Sequence, residues 1–259
     1  MTRALSRFAL PLALPVTMAV VWWFASSGST SVYYPPLRDD VRAFADAWLF
    51  DQVDSDLVPS MIRFATGFGI AVVLGITMGT ALGISARARR ALSPVTEFFR
   101  AMPIAALVPA GLIMLGAGAR MEAALIAFGS TWPILLSTTD GVRATDPAMV
   151  EMGRSYGLSR AARVRRVIIP SALPQVFAGL RIALALALQV MIIANMLSGT
   201  NGLGYVVLEA QRTFNIPGMW AGILALALLG LTVNLVFVAV EHRVLAWHRG
   251  WRAAELRND

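Results

Sequence analysis

Apolar residues along the chain gather into six long runs separated by shorter polar stretches. A helix needs about 20 apolar residues to cross about 30 Å of hydrocarbon. The runs Phe8 to Ala25, Leu57 to Ala86, Ala101 to Ala119, Met121 to Thr138, Ala172 to Ser198 and Pro217 to Leu245 reach or approach that length. The pattern therefore predicts six spanning helices, with the third and fourth joined in a tight hairpin around Gly118-Ala119-Arg120. Between the first two runs, Val41, Phe44, Ala45, Trp48 and Leu49 recur at helical spacing with aspartates on the other face. This predicts an amphipathic helix packed on the outer surface. The expected organisation is a first span with its outer segment (1–56), a five-helix core (57–245) and a tail (246–259).

Within the second run, Gly67, Ala71, Gly75, Gly79 and Gly83 recur every four residues as a ridge of small side chains. Such ridges let helix backbones approach closely in lipid, where packing drives association. The spacing predicts a tight helix–helix contact there.

Composition strengthens the membrane reading. Of 259 residues, 57% are hydrophobic and 14% charged, against about 25% charged in soluble domains. The chain has no cysteine, so neither a disulfide nor a thiolate metal site is available, and no metal or cofactor is expected. It also has no lysine, its basic residues being 22 arginines. A P-loop needs a lysine to reach the phosphates, so this chain is not itself a P-loop ATPase.

Arginine placement sets the expected orientation. Arginines concentrate before the first run (Arg3, Arg7), at 87–100 (Arg87, Arg89, Arg90, Arg100), at 140–170 (Arg143, Arg154, Arg160, Arg163, Arg165, Arg166) and after the sixth run. The alternate loops are poor in arginine, and the first holds six aspartates between Asp39 and Asp56. By the positive-inside rule both termini are expected in the cytoplasm. This distribution explains the net charge of +7 without a nucleic-acid partner. Arg3 and Arg7 before an apolar stretch also have the form of a signal peptide. Pro11, Pro15 and the bulky Trp22-Trp23-Phe24 argue instead for a retained span.

The segment 146–170 carries the most chemical information. Asp146-Pro147 has the form of an N-cap followed by proline at the first helical position. A helix through Glu151 would stop at Gly157. Ser159 would cap a second short helix, ended by Pro170. A structured loop of this length between spans suits a docking element, or else an arginine-rich stretch that holds orientation against anionic lipid.

Glu151-Met152-Gly153-x3-Gly157-x9-Val167-x-Ile169-Pro170 resembles the cytoplasmic E-A-A-x3-G-x9-I-x-L-P motif of ABC importer permeases. The likeness extends over nearly the whole chain. It is similar to the nitrate/sulfonate/taurine group through Pro35-Pro36, Arg100-Ala101-Met102-Pro103 and Gly202-Leu203-Gly204-Tyr205. The resemblance implies an all-α membrane protein with six transmembrane helices and a helical coupling segment, as in type I importer permeases. It implies an ATP-binding subunit docked at Asp146, Glu151, Gly157 and Pro170, with ATP bound by that partner. It further implies an extracytoplasmic substrate-binding protein and a paired, homodimeric permease in the cell membrane. Met152 and Gly153 stand where the family has alanines, and glycine costs about 1 kcal/mol inside a helix.

For the solute path, the sequence offers few polar groups. No Asp or Glu lies well inside an expected span, and Arg63, near the outer end of the second, can snorkel. In the fifth, Arg181, Gln189 and Asn195 fall within about a third of the helix surface. They form either a pathway-lining stripe or a snorkelling arginine with two amides bonded to neighbouring helices. Relatives often carry glutamate near Asn195, so an anion and an uncharged heterocyclic nutrient are both open as solutes. Without an intramembrane carboxylate or histidine, a proton-coupled transporter or membrane enzyme is disfavoured. A passive channel would leave the segment 146–170 unexplained.

Overall fold

The computed structural model describes residues 2–48, 52–198 and 201–247, and among these the regular structure is helical throughout. Helix α1 is Thr2–Ser26, α2 Leu37–Asp46, α3 Val58–Ile84, α4 Ala86–Ala101, α5 Val108–Leu115 and α6 Ala119–Arg143. Then follow α7 Pro147–Ser155, α8 Arg160–Arg163, α9 Ile169–Ser198, α10 Leu203–Arg212 and α11 Ile216–Val244.

Helices α3, α9 and α11 are each long and apolar enough to cross a membrane, counting their helical extensions at Val53 and Arg160. Helix α6 is more polar than these, for a structural reason. It is the hub of the bundle, with α3 on one side and α9 on another, so its side chains meet protein rather than lipid. Glu122, Ser130, Thr131, Thr138 and Thr139 are all buried in it. By contrast, α11 presents Leu228, Leu231, Leu235, Val236 and Val240 outward, as a lipid-facing helix does.

The α3 ridge lies along α6. A Cβ built on Gly67 would stand 2.6 Å from the Ala123 carbonyl, one on Gly75 2.6 Å from Ile134 Cβ, and one on Gly79 2.6 Å from the Leu135 carbonyl. At Gly83 it would come within 2.5 Å of Val142 Cβ. Rising residue numbers match on both helices, so α3 and α6 run parallel. Thr139 Oγ1 donates across the contact to the Gly79 carbonyl at 3.2 Å. Gly141 and Gly179 serve the α6–α9 contact, which runs antiparallel.

The third expected span, Ala101 to Ala119, is helical over Ile104–Leu115, and the expected loop at 87–100 is itself helical as α4. Helix α4 and the following pieces, a 3-10 turn at Ile104–Leu107 and α5, meet at 86°. Pro103 sits at the break, which it favours because it lacks an N–H and restricts Met102 to extended backbone. Gly116 and Gly118, at φ +75° and +114°, then turn the chain into α6.

Helix α2 folds against α11, with Phe44 and Trp48 entering the core beside Leu57. Asp40 on α2 is almost fully buried, and its Oδ1 has no hydrogen-bond partner. Desolvation, reinforced by Asp39, pushes its pKa up to about 6. An acid raised in this way binds its proton more tightly when folded. Its destabilising contribution therefore grows as pH rises from about 4 to about 6 and is constant above that.

Candidate functional site

Three groups of residues stand out along the bundle. The first is the segment between α6 and α9. Asp146 caps α7, its Oδ1 accepting from Ala148 N at 2.8 Å, with Pro147 at the first helical position. The helix ends in a Schellman turn: Gly157 N donates to Arg154 O and Leu158 N to Gly153 O, both at 3.0 Å. That turn requires left-handed backbone at Gly157, where φ is +71°. Glu151 points outward, and the same helix exposes Met149, Met152 and Tyr156, the last at 81%. Gly153 is buried against Leu158 and Val167, so the two arms of the segment pack on each other.

Pro170 does not end a second short helix, as its spacing suggested. Ser159 caps α8, accepting from Ala162 N at 3.3 Å, but α8 continues through a π turn at Val164–Ile168 directly into α9. Ile169 N closes the wider turn on the Val164 carbonyl, and Pro170 follows as the second residue of α9, an early position where a proline is tolerated. Ser171 Oγ then donates to the Val167 carbonyl at 2.8 Å. Arg160–Leu197 is thus one continuous helix of 38 residues, about 57 Å long at 1.5 Å per residue.

The second group lies at the opposite end of the bundle and is a buried polar network. Arg63 Nη1 on α3 donates to both carboxylate oxygens of Glu122 on α6, at 3.1 Å each. Asn195 Nδ2 on α9 donates to Glu122 Oε2 at 2.6 Å. Ser60 Oγ donates to Asn195 Oδ1 at 3.0 Å and accepts from Leu203 N at 3.3 Å. Arg63 Nη2 also holds Asn201 Oδ1 at 2.6 Å, and Gly202 N donates to Asp56 Oδ1 at 2.8 Å. Glu122, Asn195 and Ser60 are fully buried. Gly202 at φ +120° leaves room for Ser60, since a Cβ there would lie 2.9 Å from its hydroxyl. Gly204 brings the start of α10 onto Asn195.

This network corrects one expectation. Arg63 does not snorkel but is an ion-pair partner with an 11% exposed side chain, its carboxylate Glu122 lying in the first turn of α6. The signal was present in the sequence: Arg63 and Glu122 are opposite charges near the same end of two apolar runs.

The expected Arg181–Gln189–Asn195 stripe is also not one surface. Arg181 is half-exposed and paired with Glu241 of α11, while Asn195 is sealed inside the network. Gln189 alone opens onto the third group, a cleft of about 300 Å³ at the α4–α5 bend, walled by Phe99, Pro103, Trp132 and Val190. Among the described residues no cluster of His, Asp or Glu is arranged to hold a metal.

A bundle of apolar helices around a polar hub, with a sharply bent helix pair and a capped helical element between α6 and α9, is the architecture of a membrane-embedded helical protein. Residues 71–246 match the family described as binding-protein-dependent transport system inner membrane component, and the chain belongs to that family. It is 32% identical over 247 residues, covering 95% of this chain and 94% of the relative, to the putative aliphatic sulfonates transport permease SsuC of Escherichia coli K12. It is 28% identical to the taurine transport system permease TauC of the same organism, covering 92% of each chain. It is likewise 28% identical to the bicarbonate transport system permease CmpB of Synechococcus elongatus, over 93% of this chain and 88% of that one. The fold matches the inward-facing MetNI methionine ABC transporter, with TM-score 0.62 and 17% identity over 73% of this chain and 94% of that one. The architecture is that of type I ABC importer permeases, and the chain is the membrane permease of an ABC importer.

Proposed function

We propose that two copies of this chain form the membrane path of an importer for a small anion of the sulfonate or bicarbonate class. ATP is bound and hydrolysed on a separate subunit docked at α7. An extracytoplasmic binding protein delivers the solute to the end that holds the buried network. In this reading both termini lie in the cytoplasm, on the side of α7.

The carrying observation is the α7 tip. An exposed face of Met149, Met152 and Tyr156 beside Glu151, held by a rigid Schellman turn, suits docking to a protein groove better than contact with water. The solute class draws on the sulfonate, taurine and bicarbonate permeases that this chain resembles. The neutrality of Asn195, which had left an uncharged nutrient open, says nothing about the solute because that side chain bonds only within the bundle.

The test is reconstitution with the cognate ATP-binding subunit and binding protein. Loaded binding protein should stimulate ATP hydrolysis and drive uptake of one such anion. Glu151→Lys should abolish both while the chain still inserts in the membrane. Normal uptake by that variant would remove α7 as the docking element.

A further inference from the structure

Two clefts, not one, lie along α6. The first, at the α4–α5 bend, sits near the mid-height of the bundle, since its α6 residues Gly129, Trp132 and Pro133 are central in a 25-residue helix. The second, also about 300 Å³, lies between α4 and α6 toward the arginine-rich end, and its lining includes Arg89, Thr96, Thr139, Asp140 and Arg143. Arg100 lines both. Each is at the lower end of the range of ligand pockets, roughly 300–1,000 Å³.

The broken backbone gives the first cleft its meaning. Met102 and Pro103 have extended, non-helical backbone and form part of its wall. At membrane depth irregular backbone is tolerated only where protein covers it or where it borders water. Gln189, a polar side chain in the middle of α9, is exposed onto the same cleft. A lipid-facing surface would carry neither feature.

Charge gives the second cleft its meaning. Arg89, Arg100 and Arg143 line it with Glu97 and Asp140, so positive charge exceeds negative by one, and Arg89 Nη1 donates to the Leu82 and Gly83 carbonyls of α3. Arg100 Nη2 donates to Glu97 Oε2 at 2.6 Å, and Arg143 Nη1 to Asp140 Oδ1 at 3.5 Å. A guanidinium has five N–H donors, so one carboxylate contact leaves it able to take a second anion.

Building on the anion-importer reading above, we infer that each copy lines the shared solute path with the side of α6 between α4 and α9, with Arg100 as its relay. In the apolar first cleft Arg100 is the one cationic side chain. A sulfonate or carboxylate arriving there exchanges with Glu97 on Arg100 and moves on to the Arg89–Arg143 cleft. Glu97 then returns to Arg100 and leaves the site as it was. The small net charge keeps the anion from being held too tightly to leave.

The chain has no cysteine, so single cysteines report accessibility without background. The assembled transporter in nanodiscs is treated with a charged methanethiosulfonate. Gln189→Cys and Ser93→Cys should react at least tenfold faster than Val73→Cys and Leu231→Cys, which are exposed on the outer faces of α3 and α11. Equal rates at Gln189→Cys and Val73→Cys would overturn the path. Arg100→Gln should lower anion uptake at least tenfold in complexes that still assemble, with Arg100→Lys intermediate. Wild-type uptake by Arg100→Gln would overturn the relay. A transporter that carries only uncharged solute, yet protects Gln189→Cys during turnover, would remove the anion reading, keep the path and overturn the role of Arg100.

Discussion

At the scale of single residues, the α3 ridge shows why glycine rather than merely a small residue is needed. The atom facing Gly79 is a backbone carbonyl, which cannot swing away as a side chain can. Gly79→Ala should therefore lower the thermal stability of the purified chain, by about 1–3 kcal/mol if the added methyl acts as ordinary overpacking. Gly69 lies on the same helix with nothing near its missing side chain, so Gly69→Ala should leave stability unchanged or slightly raised. Equal effects at both positions would mean that the ridge acts through helix propensity and not through contact with α6. The every-fourth spacing of Gly67 to Gly83 was legible in the sequence, because small residues in register are a property of one helix. Which helix they meet was not, because that depends on the partner's direction and register.

At the scale of elements, the segment around α7 divides two glycines that look alike in the sequence. Gly157 is fixed by its left-handed backbone, so Gly157→Ala should strain the turn by roughly 1–2 kcal/mol and uncouple ATP hydrolysis from uptake. Gly153 is different: an added Cβ would find its nearest neighbour at 3.4 Å, the flexible stem of Arg163. Gly153→Ala should stabilise α7 by about 0.5–1 kcal/mol and leave coupling intact. Hydrogen exchange of the α7 amides, measured beside uptake, separates the two outcomes. The caps at Asp146 and Ser159 and the stop at Gly157 could be read from the sequence because each is set within four residues. The π turn and the bend between α4 and α5 could not, because a proline reads as a terminator whether the chain goes on as helix or turns. Pro170 and Pro103 have opposite outcomes: one is absorbed into a continuous helix and the other sits at the bend.

At the scale of the molecule, the continuous helix from Arg160 joins the two ends of the bundle. One end carries the α7 tip and the other Asn195, so under the docking proposed at α7 a push there would pass along this helix to the buried network. The network and the glycine ridge together lock α3, α6 and α9, so these three should move as one body during transport. The cost of the lock is a charge pair taken out of water, and such a pair is worth less than its geometry suggests. Glu122→Leu should destabilise the chain by about 3–5 kcal/mol, because Arg63 is left buried without its carboxylate. Arg63→Met alone removes the cation beside Glu122, which keeps its bond from Asn195, and should destabilise as well. The double variant Arg63→Met/Glu122→Leu removes both charges and should recover most of the loss in thermal unfolding. If the pair serves cohesion alone, that double variant also transports. If the double variant is stable but does not transport, then the charges themselves are needed at this end of the bundle, and α3, α6 and α9 do not act merely as a rigid body.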